Sequence, residues 1–129
     1  MQKNNINVAY ATQIIFPTGY NIIKGVVKMS VITITKDNFE NEVIKSDKKV
    51  LLDFWASWCG PCMMVSPVVD GIAEERTDIK VGKINVDEQP ELAMQFGIQS
   101  IPTLIVMENG KIVNKALGAM PKASILNLL

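Results

Sequence analysis

VLLDFWASWCGPC, residues 50–62, is the stretch on which the fold turns. Val50 to Ala56 is apolar apart from Asp53, the pattern of a central strand covered on both faces. From Cys59 onward the spacing becomes helical, with Met63, Val65, Val69, Ile72 and Ala73 on one side. The chain's two cysteines therefore sit where a strand hands over to a helix. Cysteines at i and i+3 of a first helical turn have α-carbons roughly 5–6 Å apart, inside the range of about 4.4–6.8 Å open to an unstrained disulfide. Free N–H groups and the positive end of the helix dipole favour an anion at that place. Cys59 is thus expected to ionise more readily and attack, with Cys62 as the resolving thiol. Gly60 lets the backbone approach a partner, and Pro61 falls in the first turn, where its missing N–H costs nothing.

Outward from this segment, Val31 to Thr35 alternates as a half-buried strand, and Thr35 can cap a helix whose apolar face is Phe39, Val43 and Ile44. Ile79 to Val86 reads as a further strand, and Gln89-Pro90 opens a short helix closed by Gly97, completing a β-α-β unit. Thr103–Met107 and Ile112–Ala116 flank Glu108-Asn109-Gly110-Lys111, and Asn-Gly between such runs predicts a hairpin. Pro121 suits the first turn of a last helix with Ile125, Leu128 and Leu129 on its apolar side. The pattern predicts an α/β fold, a central mixed sheet of about five strands flanked by about four helices.

A length of 129 residues suits one domain. Hydrophobic residues make up 48% and the mean hydropathy is +0.20, yet polar residues break every apolar run before it could cross a bilayer, which predicts a soluble protein. Thirteen basic groups balance thirteen acidic ones, and only Arg76 among the cations is suited to bidentate phosphate or base reading, so no nucleic-acid partner is expected. The absence of histidine excludes Ser-His-Asp and Cys-His catalysis together with HExxH and finger-type zinc chemistry. A lone cysteine pair cannot fill a tetrahedral zinc site unless two chains share four thiolates, which leaves a redox, structural or incidental role. Met63, Met64 and Met94 are expected to be packing residues.

Residues 1–28 hold Lys3, Lys24 and Lys28 and no acid, which leaves 10 basic against 13 acidic groups in the remainder. This segment has no sustained helical or strand period and makes a weak export signal, so it is expected to be a disordered extension or the product of a misplaced translation start. Lys24-Gly25-Val26 can be read back as AAA-GGA-GTN, which contains the bacterial ribosome-binding sequence GGAG shortly before Met29. The expected division is residues 1–28 as the extension and 29–129 as the domain.

Trp58-Cys59-Gly60-Pro61-Cys62, following Asp53-Phe54-Trp55-Ala56, closely resembles the active-site motif of the thioredoxin family, whose redox chemistry is a standard reference case. The likeness runs over about residues 31–129 through Pro67, Lys83-Ile84-Asn85-Val86-Asp87, Gly97-Ile98, Ile101-Pro102-Thr103, Asn109-Gly110 and Gly118-Ala119. The resemblance implies a thioredoxin fold, and Asp53 as a buried carboxylate that accepts the Cys62 proton directly or through water, its pKa raised by an apolar site. It implies Lys83 as the lysine near that carboxylate and Pro102 as a cis-proline facing the disulfide, with Ile101 offering backbone hydrogen bonds to an extended client. Trp58, Pro61, Ile101, Pro102, Gly118 and Ala119 would form the docking surface. The implied activity is reduction of client protein disulfides by dithiol–disulfide exchange, without metal or organic cofactor, in a cytoplasmic monomer. Re-reduction would come from thioredoxin reductase, NADPH binding to that partner and not to this chain.

Met63 stands where most of the family has lysine, Ser100 replaces the glycine common before Ile-Pro, and Pro121 takes the place of a serine cap. Two rival functions are an oxidase or isomerase for exported proteins, which the Gly-Pro dipeptide and weak leader disfavour, and a binding module that uses the docking surface without turnover. Taken without the resemblance, Asp53 could be a paired strand-end carboxylate and Lys83 a solvated strand-end lysine.

Overall fold

The computed structural model describes residues 20–23, 26–29 and 31–129. Strands β1 (Tyr20–Ile23) and β2 (Val26–Met29) pair antiparallel, Tyr20 opposite Met29 and Ile23 opposite Val26. Neither Tyr-Asn-Ile-Ile nor Val-Val-Lys-Met alternates apolar and polar residues, so this hairpin was not foreseen. The expectation of disorder or a misplaced start over 1–28 otherwise falls on residues 1–19, 24 and 25, outside the described residues.

The main sheet has the order β3-β5-β4-β6-β7, built from β3 (Ile32–Thr33), β4 (Lys49–Trp55), β5 (Ile79–Asn85), β6 (Thr103–Glu108) and β7 (Lys111–Leu117). β3 and β4 run parallel to β5, and β6 pairs antiparallel with both β4 and β7, which makes the sheet mixed as expected. Among the described residues four helices accompany it: α1 (Glu40–Ile44), α2 (Gly60–Glu75), α3 (Pro90–Gln95) and α4 (Lys122–Leu126).

Local chemistry sets the ends of these elements. The Thr35 N–H donates to Asn38 Oδ1 at 2.8 Å and the Asn38 N–H donates to Thr35 Oγ1 at 3.4 Å, a reciprocal pair that closes the turn leading into α1. Asn109 and Gly110 have φ of 53° and 76°, the left-handed pair that a two-residue hairpin turn between β6 and β7 demands. β3 is shorter than the Val31–Thr35 reading, although the Ile34 N–H still bonds to the Lys83 carbonyl at 2.8 Å. Pro121 precedes α4 instead of opening its first turn, and its carbonyl takes the Ser124 and Ile125 N–H groups. Ile125 is fully buried, and Lys122 pairs with Glu75 at the end of α2, so docking holds this short helix in place.

Alternation along the strands divides the interior. Val50, Leu52 and Phe54 of β4 pack with Ile84, Ile105, Phe39, Val43 and Leu92 on the face under α1 and α3. Leu51 packs on the other face with Val81, Leu104, Val65, Val69, Ile72 and Ile125, beneath α2 and α4. Asp53 and Lys83 share the period of Leu51 and Val81, so both belong to the α2 face.

Candidate active site

β4 delivers the chain to Cys59, the cap residue of α2, in an extended conformation (φ −93°, ψ 108°). Its Sγ accepts the Cys62 N–H at 3.2 Å, and its carbonyl accepts the Met63 N–H at the same distance. Gly60 and Pro61 fill the first two helical positions, so the proline removes no intrahelical bond. Cys59 and Cys62 are joined as a disulfide with α-carbons 5.3 Å apart. The helix terminus thus already offers an N–H to the sulfur that would carry negative charge after reduction. Cys59 retains 5% exposure and Cys62 only 1%, so Cys59 is the more accessible of the two. Both pack with Ala56, and Trp55, Val86 and Ile101 close around them.

The loop before β6 approaches from the other side. The Ile101–Pro102 peptide is cis, and the Ile101 carbonyl oxygen lies 3.8 Å from Cys59 Sγ, a contact in which only the reduced thiol can donate. The Pro102 carbonyl accepts the Gly118 N–H at 2.8 Å, and Gly118 has φ +87°, a value that suits glycine. This bond joins the end of β7 to the cis-proline loop, so Ile101, Pro102, Gly118 and Ala119 are held in one region. Trp58 is 70% exposed, and its indole Nε1–H donates to Asp87 Oδ2 at 2.8 Å. Next to it opens a cavity of about 370 Å³ lined by Trp58, Val86, Ala93, Ile98, Ser100 and Ile101. Aromatic and aliphatic walls with a few polar atoms suit an apolar peptide side chain.

Asp53 is 1% exposed and its Oδ1 has no hydrogen-bond partner. Burial pushes its pKa up from 3.8 to about 6; the Lys83 charge pulls it back down and Asp70 pushes it up. Lys83 lies opposite Asp53 in the β4–β5 register. Its ammonium, however, is engaged by α2, donating to Ser66 Oγ at 2.6 Å and pairing with Asp70 Oδ1 at 2.7 Å.

Ser66, Asp70 and Asp87 were not singled out in the sequence. Cys62, Ser66 and Asp70 lie at i, i+4 and i+8 of α2, a spacing that could have marked a shared stripe. Asp87 is 29 positions from its indole partner, and no local pattern announces the pair. The packing role expected for the methionines is corrected: Met63, Met64 and Met94 are 42%, 73% and 76% exposed. Met63 follows the site cysteine on the outer side of α2, and the neighbouring Val65 takes the buried position. Among the described residues no group of three or more His, Cys, Asp or Glu could hold a metal ion.

A family model described as thioredoxin matches residues 30–129. The chain is 53% identical over 102 residues to a thioredoxin of Porphyra purpurea, covering 78% of this chain and 95% of that one. It is 50% identical over 97 residues to thioredoxin 1 of Synechococcus elongatus, covering 74% and 91%, and 50% identical over 92 residues to a thioredoxin of Chlorobaculum thiosulfatiphilum, covering 70% and 85%.

Proposed function

The chain belongs to the thioredoxin family, a thiol–disulfide oxidoreductase that reduces protein disulfides, and from that premise we propose how its residues divide the work. The Cys59 thiolate attacks one sulfur of a client disulfide. A mixed disulfide forms and the client's other sulfur leaves as thiolate. Cys62 then passes its proton to Asp53 and attacks Cys59 Sγ, and the client leaves with both sulfurs reduced while Cys59–Cys62 closes. Two electrons move from the pair to the client. The observation that carries this reading is the Cys62 N–H on Cys59 Sγ at the start of α2, with an unpartnered buried carboxyl on the same face of the sheet. A carboxyl with its pKa pushed up to about 6 is a better proton acceptor for a thiol than one at 3.8.

Gly60 and Pro61 occupy the first turn of α2, and Pro102 supplies the cis peptide of the loop whose Ile101 carbonyl meets Cys59 Sγ. Trp58, Ile101, Gly118 and Ala119 receive the client, with Lys83 acting on Asp53 through its charge. The family's general partners are thioredoxin reductase and disulfide-containing targets. We place the protein in the cytoplasm as a monomer, re-reduced by an NADPH-dependent reductase. Lys111 and Lys115 on the exposed edge strand β7 oppose edge-to-edge pairing, which supports the monomer. Among the described residues no helix is long and apolar enough to cross a membrane. The start of the family match at residue 30 fits a domain over 29–129 preceded by an extension.

Titration of the pair against a dithiol buffer, read by the fluorescence of Trp55 and Trp58, tests this. The expected result is one two-electron transition on the reducing side of glutathione, with Cys62→Ser accumulating a mixed disulfide through Cys59. A flat titration, or trapping through Cys62 in Cys59→Ser at an equal rate, would overturn the assignment.

A further inference from the structure

Lys83 stands opposite Asp53 in the register and on the same face of the sheet, yet its ammonium is bonded to α2. Two side chains one helical turn apart hold it there: Ser66 Oγ at 2.6 Å and Asp70 Oδ1 at 2.7 Å. The Asp53 oxygen Oδ1, meanwhile, is buried with no hydrogen-bond partner, although a buried carboxylate ordinarily recruits any cation within reach. From this geometry we propose that Asp70 and Ser66 are positioning residues that hold the Lys83 ammonium on α2 and so keep it from pairing with the Asp53 carboxyl. The inference rests on the reading of Asp53 as proton acceptor for its significance, since a direct Lys83–Asp53 pair would make that carboxylate a poorer base.

The titratable and charged groups that bear on Asp53 are Lys83 from β5, Asp70 from α2 and, in the reduced protein, Cys62 at the start of α2. β6 places the apolar Leu104 opposite it. The Lys83 side chain is 16% exposed and that of Asp70 54%, so the hold is open to solvent on one side and its loss should give a moderate effect.

Two mechanisms separate cleanly. If Asp70 acted only through its own field, removing its charge would lower the Asp53 midpoint equally with and without Lys83. If it acts by holding Lys83, the change should be large only when Lys83 is present. The test follows the Asp53 carboxyl carbon by NMR across pH in the full chain. The oxidised form is used, in which Cys62 does not titrate and the midpoint belongs to one group. Asp70→Asn should lower the midpoint by about half a pH unit or more, roughly threefold in proton affinity. Ser66→Ala should move it the same way by less, and Asp70→Glu should restore it. In a Lys83→Gln background the effect of Asp70→Asn should largely vanish. Equal shifts in both backgrounds, or no shift from either Asp70→Asn or Ser66→Ala, would overturn the proposal. The rate of mixed-disulfide resolution in Asp53→Asn is measured alongside. An unchanged rate there would sink the acceptor role of Asp53 and leave the carboxyl titrations to judge the positioning by themselves.

Discussion

Adjacent residues of one strand meet opposite environments. Phe54 points to the face under α1 and α3, where it is fully buried and its ring lies 5.2 Å from that of Phe96, which in turn meets Phe39 edge-on at 5.7 Å. Asp53 points to the other face, equally hidden, but with an oxygen that has no partner. The first face contains apolar and aromatic groups whose burial favours the native state. The second holds a carboxyl whose ionisation opposes folding near neutral pH, beside an ammonium tied to a helix. Both faces carry an apolar core, but the chemistry is confined to one: α2 covers the face that holds the carboxyl while presenting the cysteines at its own start.

The largest expected effect on stability comes from breaking the aromatic cluster. Phe54→Ala should destabilise by about 3–5 kcal/mol, because the aromatic cluster cannot collapse around the void, and denaturant unfolding measures it. Next comes Asp53→Asn. The native pKa of about 6 lies above the 3.8 of the unfolded chain, so the native state holds the extra proton between those values and stability falls as pH rises through them. The carboxylate then costs up to about 3 kcal/mol at pH 7. Asp53→Asn should therefore unfold at higher denaturant than the parent at pH 7, the gain disappearing below about pH 4. Gly82→Ala should cost about 1–3 kcal/mol, since a new Cβ would lie 2.6 Å from Ile34 Cγ1 and force the apolar face to shift. The smallest effect belongs to Met64→Gln, expected to stay within about 0.5 kcal/mol because the side chain is 73% exposed. A large loss there would restore the packing role that its exposure denies.

Much of this division was legible in the sequence. The near-continuous apolar run of β4 announced a strand covered twice, and the helical spacing after Cys59 announced what covers one side. Asn109-Gly110 announced the hairpin because few residues accept two successive left-handed positions. Hydropathy could not show which way the methionines face, since an unbranched apolar side chain is tolerated in solvent as well as in the core. Lys83 was assigned to Asp53 by position. Its actual partners come from a helix 17 and 13 residues earlier in the chain, and a side chain with four rotatable bonds selects among neighbours only once the tertiary structure exists. Trp58 and Asp87 are likewise joined only by the fold.

The central claim is that the buried carboxyl beside the apolar core serves the second sulfur. Rapid mixing of reduced protein with an aryl disulfide tests it, because the first aryl thiolate reports attack by Cys59 and the second reports resolution by Cys62. The resolution rate should fall as pH drops through about 6, where Asp53 takes up its own proton. In Asp53→Asn that limb should be absent and the rate at pH 7 lower by about a hundredfold, with the first release little changed. Identical resolution rates and pH profiles in the two proteins would contradict the account.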